Sequence, residues 1–202
     1  MAARLRLLLA TRNEHKRREF ARLLARADAS ERCELDLLPA AVALPPEGGE
    51  TFAENALLKA RAAASATGRA TIADDSGIEA AALGGRPGVR SARYAGEHAS
   101  DDENLRKLVR EAPAGSRLHY RCALAYVDPA RGVQRLFEGS CAGRMASAPQ
   151  GTRGFGYDPI FLPDDGPGEL TMAELTEAQK DAISHRGRAA RALAAWLLGE
   201  DS

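Results

Sequence analysis

The stretch Leu5-Arg6-Leu7-Leu8-Leu9-Ala10-Thr11-Arg12-Asn13-Glu14-His15-Lys16 decides how the chain is read. Its apolar half is far shorter than the ~20 residues a membrane helix needs. It also runs straight into charged residues, so it is not the core of a secretory leader. It reads as a buried strand, a polar turn and the first turn of a helix that carries Phe20, Leu23 and Leu24 on one face. Such a strand–turn–helix is half of a βα unit.

Working outward, Glu34–Leu38 is a second short strand and residues 39–50 form a loop. Thr51 with Glu54 makes a capping box for a helix to about Thr67, which Gly68 ends. Thr71–Ala73 is a third short strand that stops at an acidic turn, Asp74-Asp75-Ser76-Gly77. Residues 84–96 are loop-like, and Ser100 with Glu103 caps a helix to about Glu111. Arg117–Asp128 and Gln134–Arg144 are rich in strand formers and read as a long hairpin around Pro129-Ala130-Arg131-Gly132. Ile160–Leu162 is a short strand, Thr176 and Gln179 cap a short helix, and Ser184–Leu198 closes the chain as an amphipathic helix. This order predicts an α/β fold, a mixed β-sheet flanked by helices. No repeat or linker divides it, so residues 1–202 read as a single domain.

The composition, 45% hydrophobic and 28% charged over 202 residues, is that of an ordinary globular protein. Basic and acidic residues number 28 each, for zero net charge. That excludes holding a nucleic acid polymer by bulk electrostatics, but not a local pocket for a small anion. The cations are 24 Arg and only four Lys: Lys16, Lys59, Lys107 and Lys180. Where Arg is the default, a retained Lys marks a place that calls for a compact ammonium. Cys33, Cys122 and Cys141 are odd in number and without nearby His, which suits reduced, buried thiols in a cytoplasmic protein. Nothing calls for a membrane.

Five segments carry possible chemistry, and each alone has an ordinary structural explanation. In Thr11–Lys16 the free N–H groups of a helix N-terminus favour an anion, with Thr11 and Asn13 as added donors and Lys16 as a positive charge. Asp74-Asp75 at a strand's end suits Mg²⁺, or a carboxylate that takes a proton from water. Glu47 is a loop carboxylate that can face the same metal, whereas Glu50 and Glu54 belong to the helix cap. Lys59 sits in an alanine-rich helix, where a solvated face is the plain reading. Gly154-Phe155-Gly156-Tyr157-Asp158 lets backbone approach a flat ligand while a ring stacks on it. Lys180 to Arg186 gathers Lys, Ser, His and Arg around a helix junction. Together they ask for one ligand, a nucleoside triphosphate. No phosphate-loop motif of the ordinary ATPase kind is present, and His98 and His119 show no ligand spacing.

These segments, with residues 87–96 and 173–186, closely resemble the inosine/xanthosine triphosphate pyrophosphatase family, above all in GFGYDPIF and AISHRG. The resemblance implies an elongated twisted mixed sheet in two lobes around a central cleft, usually a homodimer. It implies Mg²⁺-dependent hydrolysis of dITP, ITP and XTP to the monophosphate and pyrophosphate. By position it makes Asp75 the general base and a metal ligand, with Glu47 metal-associated. It makes Thr11, Arg12, Asn13, Glu14, His15, Lys16 and Lys59 contacts of the triphosphate, with Ser76 beside the substrate. Phe155, Gly156, Tyr157 and Asp158 become the base-stacking wall, and Lys180, His185 and Arg186 the readers of the purine. Arg12 departs from several relatives, which carry Gly there. Two other readings stay open on the residues: a phosphatase that releases orthophosphate or a pyrophosphatase for other modified or standard triphosphates, and a nucleotide sensor without turnover.

Overall fold

The computed structural model describes residues 4–27 and 33–199. Six strands form one mixed sheet in the order β2-β1-β3-β4-β5-β6. They are β1 Leu5–Leu9, β2 Cys33–Leu37, β3 Thr71–Ala80, β4 Arg117–Asp128, β5 Val133–Met145 and β6 Phe161–Pro163. β1 pairs in parallel with both β2 and β3, while β5 and β6 are antiparallel. Among the described residues five α-helices accompany them: α1 Glu14–Arg26, α2 Phe52–Thr67, α3 Asp101–Glu111, α4 Glu177–Ile183 and α5 His185–Leu198. The expected α/β architecture is therefore present.

The chain divides into two compact units, the first made of Met1–Asp75, Cys122–Glu138 and Arg188–Ser202. In it, alternate side chains of β1 point to opposite faces. Leu7 and Leu9 pack with Phe20, Leu23 and Leu24 of α1 and with Ala189, Ala190 and Leu193 of α5. Leu8 and Ala10 pack instead with Ala56, Ala60 and Ala63 of α2. A strand buried on both faces needs the continuous apolar run seen in the sequence. The alanines of α2 let that helix lie close to the sheet, and Gly68, at φ 66°, ends it in the left-handed conformation.

The second unit comprises Ser76–Arg121 and Gly139–Gly187. Its core gathers Ile78, Leu105, Leu108, Leu118, Tyr120, Cys141, Tyr157, Ile160 and Phe161. Three capping boxes, at Thr51, Ser100 and Thr176, start α2, α3 and α4 where the sequence places them. Cys33, Cys122 and Cys141 are buried thiols. Among the described residues no helix is long and apolar enough to cross a membrane.

Some boundaries differ from expectation. β3 does not stop at Ala73: it runs through Asp74, Asp75, Ser76 and Gly77 to Ala80. The sequence suggests an acidic turn there, but both carboxylates are buried and met by cations, and the strand continues. β6 starts at Phe161, after a 3₁₀ turn over Asp158–Ile160. The C-terminal helical region divides at Ser184, as the sequence places it: Ser184 ends α4 in extended backbone, and its Oγ accepts from the Gly187 N–H at 3.0 Å, capping the start of α5.

Candidate active site

The carboxyl end of β1 and the middle of β3 lie on neighbouring strands, so the polar groups that follow or occupy them converge within the first unit. Thr11 Oγ1 accepts from the Asn13 N–H at 3.2 Å, and Asn13 Oδ1 accepts from the Lys16 N–H at 3.1 Å. Both side chains thus set the N-terminus of α1. Lys16 turns its ammonium to Asp74, with Nζ 2.9 Å from Oδ2. Lys59, one turn after Asn55 on α2, places Nζ 2.6 Å from Glu47 Oε1 and 3.7 Å from Asp75 Oδ1. Asn55 Nδ2 donates to the other Asp75 oxygen, Oδ2, at 3.0 Å.

This cluster is poorly solvated: Asn55 is fully buried, Asp75 is 4% exposed and Lys59 is 7% exposed. Burial is the largest influence on Asp75 and raises its pKa above the ordinary carboxylate value. Lys59, Lys16 and the Asn55 hydrogen bond oppose that, while Glu47 adds to it. Burial pulls Lys59 down, yet Asp74, Asp75 and Glu47 outweigh it, so the ammonium is held above its usual pKa. Lys59 is not on a solvated face.

Two neighbours on the turn do something else. Glu14 is exposed and pairs with Arg17 and Arg18, and the Arg17 hydrogen bond chiefly holds its carboxyl down at about 2. Arg12 sends its guanidinium to backbone carbonyls: Nη1 to Leu38 at 3.3 Å, and Nη2 to Pro39, Ala40 and Val42 at 3.1, 3.1 and 2.8 Å. His15 is exposed at the first turn of α1.

The second unit holds the aromatic and cationic segments together. Lys180 Nζ lies 5.1 Å and Arg186 Cζ 5.0 Å from the centre of the Phe155 ring. Arg186 also donates to Ser76 Oγ at 2.6 Å. Asp158 is buried beneath them. Its Oδ2 meets Lys180 Nζ at 2.7 Å and the Phe155 N–H at 3.0 Å, and its Oδ1 accepts from Tyr120 at 3.1 Å. His185 is buried and stacks on Tyr120, ring centres 4.5 Å apart and planes 6° from parallel. The Gly156 N–H donates to Asp101 at 3.0 Å, and Tyr157 donates to the Ser91 carbonyl at 2.8 Å. Tyr157 and Asp158 are therefore buried pins of this loop, and burial pushes the Tyr157 phenol up. A Cβ on Gly154, whose φ is +75°, would stand 2.0 Å from Asp158 Oδ2. Lys107 is on α3, over the Tyr94 ring and bonded to the Tyr94 carbonyl at 2.9 Å.

The model of the Ham1 family matches residues 7–196. The chain belongs to the Ham1 family. A dITP/XTP pyrophosphatase of Cutibacterium acnes is 48% identical over 196 residues, covering 93% of this chain and 94% of that protein. One of Symbiobacterium thermophilum is 49% identical over 188 residues, covering 91% and 90%. The solved structure of a HAM1 protein from Coxiella burnetii superposes with a TM-score of 0.82 at 37% identity, covering 96% of this chain and 99% of that one.

Sequence reasoning passed over Asn55, Asp74 as the partner of Lys16, and Asp101. A signal for Asn55 was there: an amide on a helix otherwise rich in alanine, one turn before Lys59 and so on the same face. Nothing local points to the other two, whose partners lie 58 and 55 positions away in the chain.

Proposed function

We propose that this Ham1 protein hydrolyses non-standard purine nucleoside triphosphates, dITP, ITP and XTP, to the nucleoside monophosphate and pyrophosphate. The observation that carries the reading is Lys59, whose single ammonium is shared by Glu47 and Asp75 beside the Lys16–Asp74 pair. Three carboxylates with two lysines suit a metal-bound triphosphate, and the named pyrophosphatase relatives support the same chemistry.

The residues fit Mg²⁺. Glu47 and Asp75 offer hard oxygens within reach of one ammonium, and Mg²⁺ usually takes only one or two carboxylates from a protein. Among the described residues no group of three or more His, Cys, Asp or Glu is placed to hold a metal alone. The remaining positions therefore suit water and phosphate oxygens. When bound, the ion supplies charge neutralisation at the phosphate oxygens.

The chain's own residues do the rest. Asp75 carries a raised pKa, which makes it a better proton acceptor than an ordinary aspartate, so it takes the proton of the attacking water. Asn55 holds one of its oxygens and fixes the direction of the other. Lys16 and Lys59 give the triphosphate two ammonium groups, with N–H groups at the start of α1 beside Lys16. Phe155 is the platform for the purine, with Lys180 and Arg186 presenting N–H donors next to it. A 6-oxo purine accepts from such donors, whereas the amino group of adenine leaves one buried and unpaired at ~1–3 kcal/mol. His185 and Ser76 complete the base side by holding Tyr120 and Arg186 in place. A homodimer, a cytoplasmic setting and one catalytic domain over residues 1–202 belong to the same reading.

A panel of ITP, dITP, XTP, dGTP and dATP with Mg²⁺, scored for pyrophosphate, tests it. Pyrophosphate and monophosphate from the first three, with little from dATP, is the expected result. Orthophosphate with diphosphate overturns it. Light scattering of the purified chain reports the dimer.

A further inference from the structure

We propose that Arg12 is a positioning residue for Glu47, not a contact of the triphosphate. The loop between β2 and α2 contains no helix or strand, yet Glu47 must be held in it to face Lys59. The structure shows two fastenings. At the far end Asn55 grips Gly49, its Oδ1 accepting from the Gly49 N–H at 2.8 Å. A Cβ on Gly49 would stand 2.8 Å from that oxygen, so backbone and amide are in close register. At the near end the Arg12 guanidinium gathers the carbonyls of Leu38, Pro39, Ala40 and Val42. Glu47 lies between.

Arg12 is well placed for this. It stands between Thr11 and Asn13, whose side chains cap α1, so its backbone is fixed. A guanidinium is a planar, rigid fork of five N–H donors that holds several carbonyls in a fixed arrangement; an ammonium is a compact point charge with three freely turning donors. With both terminal nitrogens directed at carbonyls, Arg12 ties the turn proposed to receive phosphate to the loop that carries Glu47. The inference rests on the reading of Glu47 as metal-associated.

The test uses Arg12→Ala and Arg12→Lys in the full chain, with Glu47→Gln as reference. Three quantities are measured: amide hydrogen exchange over residues 40–49, Mn²⁺ affinity by electron paramagnetic resonance, and KM and kcat for dITP at saturating Mg²⁺. Both Arg12 variants are expected to exchange faster in that loop alone, and to weaken Mn²⁺ by about tenfold, the usual cost of losing a residue that orients a metal ligand. KM for dITP stays within about twofold, since an interaction with the substrate itself is not lost. Lys at position 12 keeps the charge but not the fork, so it does not rescue. A KM that rises tenfold in Arg12→Ala and recovers in Arg12→Lys, with loop exchange unchanged, overturns the proposal in favour of a phosphate contact. So does Mn²⁺ affinity equal to that of the unaltered chain. A chain that releases no pyrophosphate from dITP sinks the functional reading, while the exchange and Mn²⁺ measurements still decide Arg12.

Discussion

Asn55 donates from Nδ2 to Asp75 Oδ2 at 3.0 Å while its Oδ1 accepts from the Gly49 N–H at 2.8 Å. One fully buried amide thus fixes the proposed base and the end of the Glu47 loop together. Asn55→Ala removes a hydrogen bond to a charged group, worth ~1.5–3 kcal/mol, and leaves the Gly49 N–H without its acceptor. The expected result is a loss of roughly 10- to 100-fold in kcat/KM for dITP, with a lower melting temperature. Asn55→Asp keeps the shape but sets a carboxylate against Asp75, and should be at least as inactive. Activity near that of the unaltered chain in either variant would remove Asn55 from the site.

The proton affinity of Asp75 is open to direct measurement in the metal-free protein. Its pKa lies above the ordinary carboxylate value, with burial as the main cause, Lys59 opposing and Glu47 reinforcing. Carbon-13 titration of the aspartate carboxyls should therefore show Asp75 titrating above the ordinary range near ~4. Lys59→Met should move it further up, and Glu47→Gln should move it down. Shifts of the opposite sign would mean that Asp75 does not share Lys59 with Glu47.

How far the sequence reaches is visible in the contrast between caps and carboxylates. The capping boxes at Thr51, Ser100 and Thr176 lie within three residues of their partners, so a local reading finds them. The alternating burial of β1 is likewise written in Leu5–Ala10. β3 is different. That Asp74 and Asp75 can continue a buried strand depends on Lys16 and Lys59, which arrive from other helices, and on Asn55. Taken alone, two adjacent aspartates before Ser-Gly favour a turn. The same distance effect hides Arg12, whose carbonyl partners are 26 to 30 residues away. Tyr157 and Asp158 were legible as members of a site segment, but their side chains are pins, committed to Ser91, Lys180 and Tyr120.

Phe155 is expected to act on the purine and not on the metal. Its ring is held with Lys180 and Arg186 about it at 5.1 and 5.0 Å. Stacking of a base on an aromatic ring is worth ~1–3 kcal/mol. Phe155→Ala should thus weaken IMP by roughly 5- to 150-fold in a calorimetric titration, with Mn²⁺ affinity unchanged. Equal weakening of both ligands would show a general loss of structure.

Asp158 should govern that platform from beneath. Asp158→Asn keeps the acceptor for Tyr120 but withdraws the charge from Lys180, 2.7 Å away and nearly as buried. Removing one partner of a buried pair costs ~3–5 kcal/mol. A fall in melting temperature is therefore expected, with IMP binding lost before triphosphate-dependent Mn²⁺ binding. Gly154→Ala reaches the same loop by another route, because its Cβ would press on Asp158 Oδ2 in a backbone region that disfavours side chains. Its IMP affinity should fall with that of Asp158→Asn, and an unaffected Gly154→Ala would mean the loop is not tightly held.

The raised pKa of Asp75 also fixes the sign of its effect on stability. A carboxyl whose pKa rises on folding binds its proton more tightly in the folded chain. Its favourable contribution is full below the unfolded carboxylate range near ~4 and is lost as pH rises through the folded pKa. Near neutral pH the charged group is therefore a cost that the fold carries for its site. Asp75→Asn keeps an oxygen to accept from Asn55 and removes the charge. It should abolish pyrophosphate release while raising the melting temperature at pH 7 to 8 relative to the unaltered chain. At pH 3, where the carboxyl is protonated in both states, that advantage should vanish. Thermal melts of the metal-free proteins at the two pH values decide the matter: a variant less stable at neutral pH would show that the Lys59 pair outweighs burial.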